Sequence, residues 1–288
     1  MSGPEREGRA QPPTFEAAPF NASADLCGDP VGARLRVLLA GNQYMAVPDL
    51  VEGFVRANPD DGPVFYETLP PGIVTAQVRA GQLRIGCLEL RFTPDVVAAS
   101  PRALAELSAD GLVDKPRTYA SNTLALLVRS GNPAGITSVA DLGRPGLRVA
   151  LPDPKTEGIG RLALEVLAAA GGPSLRDAVM GEKRQAGETI LTTIHHRQTP
   201  AWLVEGRIDV GIVWETEARY QSGIGTPVVP VAIDEGANQR GEYAAAIVRD
   251  ASHRLAAERF LDHLTDEPGR TIYAHFGFSV PPARRLLA

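Results

Sequence analysis

Residues 147–167 read LRVALPDPKTEGIGRLALEVL. Leu147, Val149 and Leu151 alternate as in a buried strand. Two prolines and two glycines punctuate the loop that follows, and Ile159, Leu162, Val166 and Leu167 then recur on one helical face. A chain that leaves a strand and enters a helix in this way presents unpaired N–H groups and the positive end of a helix dipole. Such a turn is a cradle for negative charge.

The same unit recurs on the N-terminal side. Residues 35–40 (LRVLLA) form an apolar strand broken by Gly41-Asn42-Gln43, and a helix follows with Val47, Leu50, Val51, Phe54 and Val55 on one face. Residues 63–67 (PVFYE) form a second strand. Thr68-Leu69-Pro70-Pro71-Gly72 is a rigid loop leading into a helix over 73–80. Further strands are expected at 92–99, 123–128, 208–214, 228–233 and 243–248. A final helix is expected over 254–264, with Leu255, Phe260, Leu261 and Leu264 inward. Strands alternating with helices predict an α/β fold built on mostly parallel sheets, and the pattern renews itself near residue 120, as in two similar lobes.

Composition narrows the function. The chain has 288 residues, 44% hydrophobic and 22% charged, with a net charge of −5, which fits a globular protein and excludes the basic footprint of nucleic-acid binding. No run of about 18 apolar residues marks a membrane span. Residues 1–33 read as a flexible, Pro-, Gly- and Ala-rich tail without the apolar core of about 7–15 residues that a signal peptide needs. The expectation is an exported protein whose leader has been removed, or else a cytoplasmic one. Cys27 and Cys87 fit a disulfide or two thiols equally well.

The order of blocks resembles the periplasmic molybdate-binding proteins, type 2 solute-binding proteins of ABC importers. The blocks are LRVLLAGNQYMAVPDLVEGF, GIVTAQVRAG, YASNTLALLVRSGNP, SVADLGRPGLRVALPDPKTEGIGRLALEVL, LVEGRIDVGIVWETEA and FLDHLTDEPGRTIYAHFGF. The resemblance implies two lobes, 34–119 plus 242–288 and 120–241, joined by two crossover strands as a hinge and closing on a ligand. It also implies a monomer that binds a small-molecule anion and docks on a membrane permease, with no cofactor and no catalysis. Where the family places its two oxyanion-binding serines and a tyrosine, this chain carries Asn42, Pro71 (before Gly72) and Trp214.

Strand ends select the candidate ligand-binding residues, because open α/β sheets bind beyond the carboxyl ends of their strands. Asn42 and Gln43 follow the first strand, Thr68, Pro71 and Gly72 the second, and Thr156, Glu157 and Gly158 open the helix of the central stretch. His196, Arg197 and Gln198 lie in a polar knot, HHRQTP, where Arg197 suits a carboxylate or oxyanion. Trp214 and Glu215 end the IDVGIVW strand. A carboxylate at Glu67 sits awkwardly with an anion. The chain holds no G-x-S-x-G, HExxH or P-loop, and the histidine spacing matches no zinc motif, so no metal is expected. A sensor for a signalling partner, a metal-binding protein, or an enzyme on the same scaffold are the alternatives.

Overall fold

The computed structural model describes residues 25–85 and 88–282. The first part of the chain contains β1 (Leu26–Cys27), β2 (Leu35–Ala40), α1 (Val47–Ala57), β3 (Val64–Leu69), α2 (Pro71–Ala80), β4 (Gln82–Ile85), β5 (Leu88–Arg91), β6 (Val96–Ala99) and α3 (Pro101–Ala109). The middle contains β7 (Arg117–Arg129), β8 (Val149–Pro152), α4 (Gly158–Asp177), α5 (Lys183–Gln185), β9 (Thr189–Thr192), α6 (His195–Val204), β10 (Val210–Trp214), α7 (Glu215–Gly223) and β11 (Val228–Ala232). Strand β12 (Arg240–Ile247) returns to the first part, and α8 (Arg254–His263) and α9 (Glu267–His275) follow it.

The main sheet runs β1-β3-β2-β6-β12-β7-β10-β8-β9, with β11 also on β7. Each half has a parallel centre, β3-β2-β6 in one and β10-β8-β9 in the other. The strands of these centres are near-continuous apolar runs because helices cover both faces. In β2 all residues but Arg36 are buried, and β10 is buried throughout. Strand β7 joins the halves. Residues 117–123 of it pair with β12, and residues 124–129 pair with β10 on one side and β11 on the other. Two apolar cores lie on the two faces of the first half, around Phe54 and Phe260 and around Phe65 and Leu104. Two more flank the second half, around Val149 and Val166 and around Leu203 and Val213.

Several expectations need correction. The strand expected over 92–99 is only β6, over Val96–Ala99; residues 92–95 are irregular and include Pro94, which has no N–H to donate. Next to that proline, Asp95 accepts instead from the backbone N–H groups of Arg36 and His253, both at 2.9 Å. Leu255 is 69% exposed, because Ala256, Ala257, Phe260 and Leu261 set the inward face of α8. The polar knot 195–200 is the first part of α6. Gln198 ends its irregular entry, its Oε1 accepting from the N–H groups of Thr193 (2.7 Å) and Ile194 (2.9 Å). Residues 25–33, counted with the tail, hold the edge strand β1, whose residues pair with Glu67 and Tyr66 of β3. Residues 1–24 of the expected tail lie outside the described residues. Cys27 is an exposed free thiol, and Cys87 lies outside the described residues.

Candidate functional site

The carboxyl ends of the parallel strands meet at one cavity of about 530 Å³ between the two halves. After β2 the chain turns at Gly41 and Asn42. After β3 it passes Pro70 and enters α2 at Pro71, and after β6 it enters α3 through Ser100 and Pro101. After β8 it enters α4 through Glu157 and Gly158, and β10 delivers Trp214. All of these residues line the cavity. The N-termini of α2, α3 and α4 thus face one space from both halves of the sheet. Proline at the first turn of α2 and of α3 costs nothing there, since its missing N–H would have no helical partner. Glu157 at the N-cap of α4 makes no side-chain capping bond, and of the first three N–H groups of that helix the Gly160 N–H closes on Glu157 O at 3.0 Å, so the helix entry at Gly158 and Ile159 is the part that borders the cavity.

The floor is polar and buried. Tyr243 is 4% exposed, and Asn42 Nδ2 donates to its hydroxyl. Burial pushes the phenol pKa of Tyr243 far above its ordinary value, so it stays a neutral donor. The Trp214 ring lies 5.8 Å from the Tyr243 ring and close to Gly241, where a Cβ would collide with the edge of the indole. His196 stacks on Tyr44 at 5.3 Å and presses on Gly41, where a Cβ would stand 2.8 Å from His196 Cε1. Arg102, Arg161 and Arg240 line the wall, together with Glu157 and Glu242. Arg102 also pairs with Glu106 at 3.2 Å, Arg240 Nη1 donates to Ser121 Oγ at 2.9 Å, and Glu157 accepts from Thr192 Oγ1 at 3.1 Å.

Of the residues expected from the sequence, Asn42, Pro71, Glu157, Gly158, His196 and Trp214 line the cavity. Gly72 and Thr156 line a smaller hollow that shares Pro71, Glu157 and Gly158 with it. The others turn elsewhere. Gln43 Oε1 accepts from the hydroxyls of Tyr119 and Tyr273, each at 2.7 Å, inside the core. Thr68 is fully buried, and its N–H donates to Asp25 O at 2.8 Å. Arg197 is buried in an ion pair with Asp25 and does not reach the cavity lining. Burial lowers its pKa. Gln198 serves the α6 entry, and Glu215 accepts from Thr123 Oγ1 at 2.6 Å and pairs with Arg219. Glu67 does not oppose an anion. It points into the apolar core under α2, where burial raises its pKa to about 8, against the opposing effect of a hydrogen bond from Gln77.

Sequence reasoning missed Ser100, Arg102, Arg161, Arg240, Glu242 and Tyr243. The strand-end rule that selected Asn42 and Pro71 also selects Ser100-Pro101-Arg102, and Arg161 stands one turn into the helix already singled out. Arg240, Glu242 and Tyr243 carry no local signal, because β12 reaches the cavity only by pairing between β6 and β7. Among the described residues no group of three or more His, Cys, Asp or Glu side chains is placed to hold a metal, and no helix is long and apolar enough to cross a membrane.

Comparison with known proteins agrees with this architecture. The chain is 28% identical to the molybdate-binding protein ModA of Mycobacterium tuberculosis over 191 residues, covering 66% of this chain and 67% of that protein. It is 28% identical to a thiosulfate-binding protein of Pseudomonas aeruginosa over 204 residues, covering 63% and 60%. The fold superposes on the sulfate-binding protein SubI of Mycobacterium tuberculosis with a TM-score of 0.73 at 23% identity, covering 86% of this chain and 87% of that one. The family model described as "Bacterial extracellular solute-binding protein" matches residues 35–279, from the first strand of the parallel centre to the segment that follows α9, and the chain belongs to that family.

Proposed function

We propose that this protein captures a small anion, an oxyanion or a small carboxylate, in the cleft between its two sheet halves and delivers it to the membrane permease of an ABC importer. The observation that carries this reading is the convergence of the α2, α3 and α4 N-termini with Arg102, Arg161 and Arg240 on one cavity. Helix N-termini and guanidinium groups both favour negative charge, and within a cleft of low dielectric they act more strongly than in water. The names of the relatives, which bind molybdate, sulfate and thiosulfate, support the same class.

In this reading residues 34–119 with 242–288 and residues 120–241 act as two lobes, with β7 and β12 as the hinge strands, and the protein works as an extracytoplasmic monomer without catalysis. The first contacts come from Asn42, the α4 N-terminus at Gly158, and the arginines of the wall. Calorimetric titration with molybdate, tungstate, sulfate, phosphate and small carboxylates tests it. Heat and a thermal shift with at least one anion, weakened by salt and by Arg161→Ala, are expected. Absence of both with every anion overturns the anion class.

A further inference from the structure

The cavity is larger and more apolar than a bare oxyanion needs. Its volume of about 530 Å³ lies in the range of roughly 300–1,000 Å³ that holds organic ligands. The two sides of the cleft approach each other at two places. A Cβ on Gly72 at the start of α2 would stand 3.5 Å from Thr156 O in the loop before α4, and His196 of α6 is pressed on Gly41. A bare oxyanion is held by a shell of donors on every side. Here the donors alternate with an apolar lining of Pro70, Pro101, Ile159, Leu162, Trp214 and the ring of Tyr243.

Leu162 makes the point most sharply. Ile159, Ala163, Val166 and Leu167 of α4 are buried, whereas Leu162 is only partly covered and lines the cavity. An apolar side chain placed there gains nothing from an oxyanion and covers the body of an organic molecule. Trp214 stands where the family resemblance places a hydroxyl donor, and it adds indole carbon to the lining instead. The carboxyls of Glu157 and Glu242 lie in the same wall, and their repulsion grows with the charge of the ligand, which favours a monoanion over a multiply charged anion.

We infer, resting on the anion reading above, that the ligand is an organic monoanion. Its carboxylate, phosphonate or sulfonate head meets the α4 N-terminus and the wall arginines. Its apolar, ring-sized body lies against Trp214, Ile159 and Leu162. Trp214 and Leu162 are then the residues that set specificity, and the donors supply the charge recognition common to the class.

The test is a calorimetric comparison, with the full chain, of pairs matched in head group: acetate against phenylacetate, methylphosphonate against phenylphosphonate, and methanesulfonate against benzenesulfonate. In at least one pair the ring-bearing anion is expected to bind about tenfold or more tighter. Trp214→Ala and, separately, Leu162→Gln are expected to remove most of that gain, so that the ratio of affinities within the pair falls towards one. Leu162→Gln keeps the test open if Trp214→Ala fails to fold. Molybdate or sulfate binding more tightly than every ring-bearing anion overturns the inference and leaves the anion receptor standing. A ring gain unchanged in Leu162→Gln and in a folded Trp214→Ala overturns it as well. Failure of both members of all three pairs, together with molybdate, overturns it and the anion reading at once.

Discussion

Asp25 and Arg197 form a buried ion pair between the two halves of the molecule, their side chains 2% and 7% exposed. Asp25 immediately precedes β1, which is zipped to the edge of β3, and Arg197 lies in the first turn of α6. The Nε2 atom of His196 stands 3.9 Å from the same carboxylate. Asp25, at the entry to β1, therefore ties the first half of the molecule to α6 of the second.

Removing one partner of such a pair leaves a buried charge without its counter-ion, at a cost of about 3–5 kcal/mol. Arg197→Ala is expected to lower stability by that order in urea unfolding, and Asp25→Ala/Arg197→Ala together to recover part of the loss. Because Arg197 does not line the cavity, Arg197→Ala should change ligand affinity less than Arg161→Ala does. The reverse order in a titration would return Arg197 to the binding shell.

Glu67 makes stability depend on pH. Burial raises its pKa from 4.5 to about 8, so between those values the folded protein holds a proton that the unfolded chain has released. Stability then falls as pH rises through that window, with a slope approaching about 1.4 kcal/mol per pH unit from this group alone, and flattens above it. Glu67→Gln keeps the shape and removes the slope. The variant should match the parent near pH 4.5 and exceed it at pH 8 by a few kcal/mol at most (about 4 as an upper figure). Parallel stability curves for the two proteins would contradict this.

Gly41 has no room for a methyl group. His196 Cε1 would be 2.8 Å from a Cβ there, and the ring cannot swing away freely because it is 1% exposed and stacked on Tyr44. Gly41→Ala is expected to cost about 1–3 kcal/mol and to weaken binding by displacing the cavity wall. Gly181→Ala, where a Cβ meets nothing within 4 Å, serves as the control and should stay within about 0.5 kcal/mol of the parent in thermal unfolding.

Tyr44 ties α7 to the turn after β2. Its hydroxyl donates to Glu217 Oε1 at 3.1 Å and accepts from Gln221 Nε2 at 3.0 Å, all three side chains being buried. Burial, followed by the charge of Glu217, pushes its pKa well above the ordinary 10, so the hydroxyl keeps its proton at every working pH. Tyr44→Phe preserves the ring stack on His196 and removes only the hydroxyl. A loss of about 1–3 kcal/mol in chemical unfolding is expected, from the partners left short of a bond. A neutral effect would mean that Glu217 and Gln221 satisfy each other.

Strand–loop–helix order, the α/β class and the strand-end positions Asn42, Pro71, Glu157, Gly158 and Trp214 were legible in the sequence. The signals behind them are local: apolar period, Pro and Gly punctuation, and the geometry by which a parallel strand delivers its carboxyl end to a helix. Tertiary structure alone decided which of the selected polar residues face the cavity. Gln43 turned to Tyr119 and Tyr273, and Arg197 turned to Asp25, because their partners lie far along the chain and buried polar groups go where they find a partner. Arg240 and Tyr243 entered the wall because β12 inserts between β6 and β7, a non-local pairing that leaves no trace in the residues near it. The central stretch determined by itself that a strand–loop–helix turn, the kind of turn that can cradle an anion, lies at residue 158. The packing of Trp214 and Leu162 against it decided the shape of what the cradle can hold, since the volume left between two packed halves belongs to neither sequence segment alone.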